Sequence, residues 1–315
     1  MRRAQFIRGS AIVGAAAIIP RFLTAGSGMF EVSGERKVAQ ILNAKRSMVQ
    51  NVPVLRAFAG GKNDLVSPFV MLDEFGPLDV DPGTIGMDIQ AHPHAGVVPT
   101  TYLVKGSGRH TDSMANDIVY HEGQYMLFNS GRGAIHEEVS DEQLRNHGGI
   151  VHGFQIWLNL PAKEKFCTPA TAIHNPEKLP IIETDDYWVK VLIGSLFGQS
   201  SPTETYTPAF YYHIKIQPNG RLDIPVTSGH NAFVYVVNGE LELEGRHALK
   251  DEQLALYERE GDRLRYHSAQ GCEFLLLGGQ PLDEPVVSYG PFVMNTQDQI
   301  NLCFQNYRAG RMGEL

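Results

Sequence analysis

A chain of 315 residues is long enough to form two domains of ordinary size, each with a hydrophobic core. Its formal net charge of −8 provides no overall basic field, so we expect no direct binding to nucleic acid. The 32 glycines and 18 prolines, with many short β-branched and aromatic runs, favour an all-β architecture. The three cysteines are far apart in sequence, which indicates buried thiols rather than a disulfide scaffold: Cys167, Cys272 and Cys303.

The first 30 residues differ in character from the rest of the chain. Residues 1–8 are basic and contain the pair Arg2-Arg3, and residues 11–19 form an apolar run that ends at Pro20. This run is too short to cross a bilayer as a helix, so we expect no transmembrane segment. A basic stretch before a short apolar stretch is typical of a bacterial export signal, and this one resembles a twin-arginine signal. We expect a periplasmic or exported protein; the alternative is a cytoplasmic protein with an N-terminal extension.

Two pairs of metal-ligating residue types follow, His92-x-His94 and His136-x-Glu138. Side chains alternate between the two faces of a strand, so residues two apart point the same way. His92 and His94 should therefore project together from one strand. His136 and Glu138 should do the same from a neighbouring strand. The sequence predicts one metal ion held by three imidazoles and a carboxylate, with coordination positions left open.

The ligand types leave several metals open. Imidazole with one carboxylate suits iron, copper, nickel, manganese or zinc. No cysteine accompanies the cluster, so the sequence does not indicate a thiolate site for zinc or for an iron–sulfur centre. A nitrogen–oxygen shell with open positions is the usual setting for non-haem Fe(II) that works with dioxygen, so we expect Fe(II) and keep other divalent transition metals as alternatives. The other nine histidines stand singly, and we expect nearly all of them to be structural: His110, His121, His147, His152, His174, His213, His230, His247 and His267.

Two similar stretches indicate an internal duplication. In the first half, the strand-like run 100–104 leads into Gly106; in the second, the run 232–237 leads into Asn238-Gly239. Asn-Gly between alternating runs is a strong hairpin signal, so we expect a duplicated β-hairpin.

Counting the same offsets in the second half tests whether it too could bind a metal. The positions that match the four ligands offer neither imidazole nor carboxylate: Pro225, Thr227, Phe274 and Leu276. We therefore expect a second barrel without a metal site, which packs against the first barrel and shapes one side of its cleft.

One short helix is predicted at the C-terminus. Thr296 and Gln299 have the spacing of a capping box, and Gly310 can end the helix. Ile300 and Cys303 lie on the apolar face that this helix would have. We expect that face to dock on a barrel rather than to bind a partner, with Cys303 in the core.

Several segments carry a family resemblance: Gly86-x5-His92-x-His94, Gly131-Arg132-Gly133 before His136-x-Glu138, and the stretches 71–77, 155–161 and 284–296. The first two resemble the two cupin motifs, and the last closely resembles the C-terminal signature of pirins. Roughly residues 40–310 therefore resemble a pirin, a member of the cupin superfamily. The resemblance implies a bicupin, an all-β fold of two cupin jelly-roll barrels with a short C-terminal helix. It also implies one iron in the N-terminal barrel, held by the residues that match the four ligands.

The predicted domains follow from this resemblance and the Pro-rich linker: export signal or extension 1–30, metal-binding cupin barrel 31–165, linker 166–186, metal-free cupin barrel 187–295, and helix with tail 296–315. One position departs from the family pattern. Four residues after the second histidine these proteins commonly have Glu, and this chain has Val98. The four ligands remain, so we keep the metal, although a missing carboxylate can alter the hydrogen bonds that tune it.

The resemblance implies functions of different classes. Bacterial pirins resemble dioxygenases that cleave quercetin-type flavonols, so our first hypothesis is an oxidoreductase that binds a flavonol-like aromatic substrate and dioxygen. Glu138 would be its general base. The alternative is an iron-dependent redox-sensing regulator that acts through contacts with a protein partner. A metal-dependent isomerase is a third hypothesis, because fold alone does not fix function. We expect a monomer.

Overall fold

In a computed structural model of the chain, residues 34–60, 64–243 and 247–315 are described. The predicted export signal at residues 1–30 lies outside the described residues. Most of the described residues lie in β-strands arranged as two barrels, and one short helix closes the chain. This confirms the predicted all-β bicupin fold. No helix within the described ranges has the length and apolar character needed to cross a membrane.

The first half of the chain contains thirteen of the described strands and the short helix α1 (Glu142–His147). Single 3₁₀ turns lie at Asp64–Val66, Ala162–Glu164 and Pro176–Lys178. The strands are β1 (Val38–Asn43), β2 (Lys45–Val49), β3 (Val52–Ala59), β4 (Phe69–Val80), β5 (Asp88–His94), β6 (Val97–Lys105), β7 (Ser107–Asp112), β8 (Asp117–His121), β9 (Tyr125–Asn129), β10 (Ala134–Val139), β11 (Gly149–Asn159), β12 (Ala170–His174) and β13 (Ile181–Glu183).

The second half contains the remaining described strands and the C-terminal helix α2 (Gln297–Arg308). The strands are β14 (Tyr187–Ile193), β15 (Ser195–Leu196), β16 (Gln199–Ser200), β17 (Ala209–Ile216), β18 (Gly220–Pro225), β19 (Asn231–Gly239), β20 (Leu241–Leu243), β21 (His247–Leu249), β22 (Gln253–Tyr257), β23 (Arg263–Ser268), β24 (Cys272–Gly279), β25 (Val287–Tyr289) and β26 (Phe292–Met294).

Each barrel consists of a large sheet and a small sheet. The first large sheet has the order β12-β9-β6-β11-β4-β3-β2, and the first small sheet has the order β5-β10-β7-β8. The second large sheet has the order β1-β22-β19-β24-β17-β14-β13, and the second small sheet has the order β18-β23-β20-β21. The same division into seven and four strands in both halves is what a duplicated barrel produces.

The two large sheets pack face to face through a shared hydrophobic core. Leu72 and Phe154 belong to the first large sheet, and Tyr211, Phe233 and Leu275 belong to the second; all five are buried in one cluster. Alternation along each strand sends these side chains to one face and leaves the opposite face for the barrel interior. Because full burial of one such side chain contributes about 2 kcal/mol, this core joins the two barrels firmly.

The interiors of the two barrels differ. Buried apolar side chains fill the second barrel, and Phe274 and Leu276, two of the positions that match ligands in the first barrel, are among them. The apolar cluster in the first barrel is smaller and includes Phe75 and Met87. Both of these residues also line a cavity of about 660 Å³ inside that barrel. The first barrel therefore has an interior cavity with space for a ligand.

Gly106 and Gly239 occupy equivalent corners of the two barrels. β6 lies in the first large sheet, and β7, which follows Gly106, lies in the first small sheet. In the same way, β19 lies in the second large sheet and β20, which follows Gly239, lies in the second small sheet. The predicted hairpins are therefore wrong, because the chain passes from one sheet to the other at each glycine. Gly106 has a φ of 88°, and a Cβ added there would lie 2.5 Å from the carbonyl oxygen of Ile150. Gly239 has a φ of 98°, and a Cβ added there would lie 2.6 Å from the carbonyl oxygen of Gly271. Such corners require glycine.

The C-terminal segment returns to the first barrel. Phe292 in β26 forms a bridge with Ala95, which directly follows the His-x-His pair. Helix α2 begins with the predicted capping box, in which Thr296 and Gln299 satisfy each other's backbone N–H groups. Cys303 on this helix is buried in a cluster with Ala95 and Phe292. The helix therefore docks on the protein, and Cys303 is a core residue, as predicted.

Lys165 fastens this segment to the first barrel. Its buried ammonium group donates hydrogen bonds to the carbonyl oxygens of Gly96 and Val293, each at 2.8 Å, and to the side chain of Asn159. Burial lowers the pKa of Lys165 to about 7, with Glu284 opposing the effect. Three acceptors around one buried amine hold the strand after the histidine pair against the C-terminal tail.

The domain boundaries given above remain predictions, and two features of the structure cross them. β1 precedes the first barrel in sequence but pairs with β22 in the second large sheet. Within the predicted linker 166–186, β12 pairs with β9 and β13 pairs with β14. The linker therefore contributes one strand to each large sheet.

Candidate metal centre

The two predicted ligand pairs lie on adjacent antiparallel strands. β5 pairs with β10 in a register that sets His92 opposite His136. A bulge follows His136, so Glu138 is level with Ile89 rather than with residue 90. Bulges re-aim side chains beside functional sites. His92, His94 and His136 all face the cavity of the first barrel.

The three histidines form one compact group. One ring nitrogen of each lies within 4.8 Å of those of the others, and the Nε2 atoms of His92 and His136 are 3.1 Å apart. Ligands about 2.1 Å from one ion lie roughly 3 Å from each other, so the spacing fits a single metal. His94 and His136 are buried, with 3% and 2% exposure, while His92 is half-buried at the cavity. This histidine group has the composition of a site for a divalent metal ion.

Burial lowers the pKa of all three imidazoles. The pKa values of His94 and His136 fall well below the usual value, because burial is reinforced by the neighbouring rings. For His92 burial also lowers the pKa, against opposing effects of the Gln90 carbonyl and of Glu138. The rings are therefore neutral near pH 7. Neutral imidazole is the form that binds metals, so the protein does not need to release protons to fill the site.

A buried chain of hydrogen bonds fixes the tautomer of His136. Its Nδ1 lies 3.4 Å from Nδ1 of His110, and Nε2 of His110 lies 3.1 Å from a carboxylate oxygen of Asp112. Burial raises the pKa of Asp112, but bonds from Thr171, Asn116 and His110 outweigh burial and lower it. The ionised carboxylate requires a proton on His110 Nε2, so His110 Nδ1 is an acceptor and His136 donates from Nδ1. The Nε2 lone pair of His136 then faces the other two rings, free for a metal.

His110 and Asp112 are site residues that the sequence analysis missed. His110 was grouped with the histidines expected to be structural, yet it is fully buried directly behind a predicted ligand. His110-x-Asp112 has the same two-residue spacing as the predicted ligand pairs, and β7 is the next strand to β10. Metal-ligating histidines usually donate their second N–H towards a carboxylate, directly or through another group. The two-residue spacing of His110 and Asp112 is therefore the sequence signal that could have identified them as site residues.

Glu138 lines the same cavity but lies outside the compact histidine group. Its oxygens accept hydrogen bonds from Thr101 Oγ1 at 2.7 Å and from Gln155 Nε2 at 2.9 Å, both from the first large sheet across the barrel. The carboxylate is 3% exposed. Its assignment as fourth ligand and general base remains a prediction.

Oε1 of Gln155 in the cavity wall is buried and has no hydrogen-bond partner within the part of the chain that the structure describes. The hydroxyl of Tyr120 and a ring nitrogen of His94 are also buried there, with Glu138 and the Pro291 carbonyl as their polar neighbours. Burial, with Glu138 nearby, raises the pKa of Tyr120 well above its usual value, so its hydroxyl stays a donor. Unsatisfied buried polar groups are uncommon, and one in a cavity wall indicates a polar ligand or water. Apolar walls with few polar groups are typical of small-molecule sites.

Val98 does not remove a group from this cavity. Its side chain is buried in the hydrophobic core between the two large sheets, on the face of β6 opposite the metal centre. Thr101, on the inner face, supplies the contact with Glu138 instead. The departure from the family pattern therefore lies in the core between the barrels rather than among the groups that line the cavity.

Two cupin barrels with a histidine group in the first define the class of this protein as a bicupin. A family model described as Pirin matches residues 51–158, and one described as Pirin C-terminal cupin domain matches residues 211–313. A pirin-like protein of Solanum lycopersicum is 32% identical over 255 residues, which cover 79% of this chain and 82% of that protein. The chain belongs to the pirin family.

Other relatives carry the name of an enzyme. A Pseudomonas aeruginosa protein named "Putative quercetin 2,3-dioxygenase" is 33% identical over 267 residues, which cover 82% of this chain and 91% of that protein. The crystal structure of quercetin 2,3-dioxygenase from Acinetobacter baumannii matches with a TM-score of 0.86 and 26% identity. That match covers 89% of this chain and 99% of the other. The overall fold is thus shared with a protein named quercetin 2,3-dioxygenase.

Proposed function

We propose that this protein is a non-haem Fe(II) dioxygenase that opens the central ring of quercetin-type flavonols. The observation that carries the proposal is the group of three neutral imidazoles, two of them buried, that face a cavity of about 660 Å³. Relatives named quercetin 2,3-dioxygenase support the substrate class. The reaction consumes one flavonol and one dioxygen, and it yields the ring-opened ester and carbon monoxide.

His92, His94, His136 and Glu138 are the residues that would hold the iron. Bound Fe(II) would supply Lewis acidity for an ionised substrate hydroxyl and redox chemistry for dioxygen. The nitrogens of the donor set fit the ion, because all three rings are neutral and because His110 and Asp112 fix the ring of His136.

Glu138 is the base in this proposal. It would accept the proton of the flavonol 3-hydroxyl, which turns that oxygen into the electron-rich anion that reacts with dioxygen. Thr101 and Gln155 hold the carboxylate in place at 2.7 and 2.9 Å. The Tyr120 hydroxyl keeps its proton and can donate to Glu138 or to an oxygen of the bound substrate.

The apolar walls of the cavity would exclude water from the reacting ring. Phe75, Met87 and Ile89 form one part of this wall, and Val293 from the C-terminal tail forms another. Exclusion of water strengthens the electrostatic interactions of the anion and protects it from side reactions.

The test compares aerobic and anaerobic consumption of quercetin by iron-loaded protein. We expect turnover with dioxygen, release of carbon monoxide, and no turnover without dioxygen. His94→Ala should lower kcat at least 100-fold, and His147→Ala, a change at an exposed histidine of α1, should match the wild type. Flavonol loss that needs neither dioxygen nor His94 contradicts the proposal. Iron binding without any turnover would instead favour the regulatory alternative.

A further inference from the structure

A row of polar side chains crosses the inner face of the first large sheet. The strand registers set Arg56 opposite Asp73, Asp73 opposite Gln155, and Gln155 opposite Thr101. Neighbouring strands lie about 4.8 Å apart, so the row runs about 14 Å from β3 to β6. Its Thr101 end holds Glu138, whereas its Arg56 end has no part in the metal centre. Both ends of this polar row belong to the same barrel.

The Arg56 end is a built ion pair. Nε and Nη2 of Arg56 donate to the two carboxylate oxygens of Asp73 at 2.8 and 2.6 Å, a bidentate arrangement that fixes the guanidinium plane. Asp73 is buried, with 2% side-chain exposure, and Arg56 retains 32%. Within residues 34–60, 64–243 and 247–315, Nη1 of Arg56 has no hydrogen-bond partner in the protein. Arg56 and Asp73 both line the cavity.

Stability of the sheet does not by itself explain this ion pair, although the bonds to Asp73 raise the pKa of Arg56 and so favour its charged form. Burial raises the pKa of Asp73 even though Arg56 acts to lower it, so the carboxylate remains in an unfavourable environment despite its partner. Replacing a buried ion pair by apolar residues is often neutral or stabilising. The neighbours on the same face, Val54 and Met71, are apolar and would accommodate such a replacement.

We propose that Arg56 forms a second substrate subsite, which binds an oxygen at the far end of an aromatic substrate whose near end is held at the histidine group. The subsite takes a phenolic hydroxyl or phenolate, and Asp73 orients the guanidinium for it. This inference rests on the proposed function and adds a selection rule: the preferred flavonols carry hydroxyl groups on their outer rings.

The spacing agrees with this assignment. Arg56 and Gln155 are two strands apart, which is about 10 Å between their backbones, and Gln155 bonds directly to Glu138. A flavonol, with two fused rings and one attached ring, spans a distance of this order. Guanidinium is weakly hydrated and presents several N–H donors in one plane, so it can bind an oxygen while it remains paired with Asp73.

The test measures binding of two probes to iron-loaded protein kept free of dioxygen. Quercetin has hydroxyls on both outer rings; 3-hydroxyflavone has the same metal-chelating oxygens and no outer hydroxyl. We expect the double variant Arg56→Gln with Asp73→Asn to weaken quercetin binding about tenfold and to leave the Kd of 3-hydroxyflavone unchanged. The double variant avoids leaving an unpaired buried charge. Arg56→Lys alone keeps the positive charge. Its Kd for quercetin should therefore lie about midway, on a logarithmic scale, between the Kd of the wild type and that of the double variant.

Arg109→Gln is the matched control, because Arg109 also forms a bidentate pair, with Asp117, but on the exposed surface. It should change the Kd of neither probe. If the double variant binds both probes equally more weakly, or binds both as tightly as the wild type does, the subsite is overturned. Aerobic turnover by the wild type would still support the proposed function in that case. Wild-type protein that binds neither probe contradicts both.

Discussion

At the scale of single residues, the proposed metal binding depends on side chains behind the histidine group. His136 can offer its Nε2 lone pair because its Nδ1 proton is directed to His110, and His110 is held by Asp112. Asp112 is 3% exposed and also accepts a bond from Thr171 at 2.5 Å. A rigid, ionised carboxylate at the end of the chain thus sets the state of a ring two groups away.

Removing His110 should therefore weaken metal binding without unfolding the protein. We expect His110→Gln to lower the affinity for Fe(II) or Co(II) about 10- to 100-fold, because the ring of His136 loses its fixed orientation and tautomer. Anaerobic competition with a chelator measures the change. Asp117→Asn, which breaks an exposed ion pair, should retain wild-type affinity. An unchanged affinity in His110→Gln would show that the hydrogen-bond chain has no role in the site.

The contrast between found and missed site residues has a physical reason. His92, His94 and His136 could be predicted because a two-residue spacing within one strand is a local property of the sequence. The participation of His110 depends on β7 lying beside β10, and that of Arg56 depends on β3 lying beside β4. Pairing between strands is set by the whole sheet rather than by the segment itself, so the same residues appear isolated in the sequence.

At the scale of secondary-structure elements, the corners decide how each barrel closes. Gly106 and Gly239 allow a strand to leave the large sheet and enter the small one. The Asn-Gly signal at residues 238–239 correctly indicated a sharp change of direction. It did not indicate where the next strand would pair, because a hairpin and a corner require similar local backbone conformations. The prediction of a hairpin was wrong for this reason.

The corner glycines should tolerate no side chain. We expect Gly239→Ala to lower the free energy of unfolding by about 3 kcal/mol, from positive φ and from contact with the Gly271 carbonyl oxygen at 2.6 Å. Gly198→Ala is the matched control: its φ is 81°, but an added Cβ meets nothing within 4 Å, so a loss of about 1 kcal/mol is expected. Urea unfolding measures both. Equal losses would mean that the close approach at the corner is unimportant.

At the scale of the whole molecule, polar networks lie within the hydrophobic core that joins the barrels. The hydroxyl of Tyr102 in the first barrel lies 2.9 Å from Nδ1 of His213 in the second, and Nε2 of His213 lies 2.7 Å from Glu273. Tyr235 of the second barrel donates to Glu74 of the first at 2.6 Å. The overall bicupin fold could be predicted from motifs, whereas these contacts required the relative placement of two barrels far apart in sequence.

Glu273 should make this interface sensitive to acid. Burial would raise the pKa of Glu273, but bonds from His213 and Lys215 outweigh it and lower the pKa to about 2, from a usual value of 4.5. Because the folded pKa lies below the unfolded one, the carboxylate stabilises the fold above pH 4.5, and this contribution is lost as the pH falls towards 2. After allowance for partial exposure we expect about 1 kcal/mol between pH 7 and pH 3.

Urea midpoints of the wild type and of Glu273→Gln at pH 7 and at pH 4 measure this contribution. The variant should be less stable at pH 7, and the difference should narrow at pH 4. Glu258→Gln, a change at an exposed carboxylate, should follow the wild type at both values. A difference between wild type and Glu273→Gln that does not depend on pH would rule out an ionised carboxylate as its cause.

The metal content of the purified protein tests the central claim most directly, because everything proposed for the cavity depends on one ion at the histidine group. Elemental analysis of protein prepared without added metal should find about one iron per chain in the wild type and in His247→Ala, a change at an exposed histidine of the second barrel. His136→Ala should contain almost none. Wild-type protein without stoichiometric iron, or His136→Ala with as much iron as the wild type, would contradict the account.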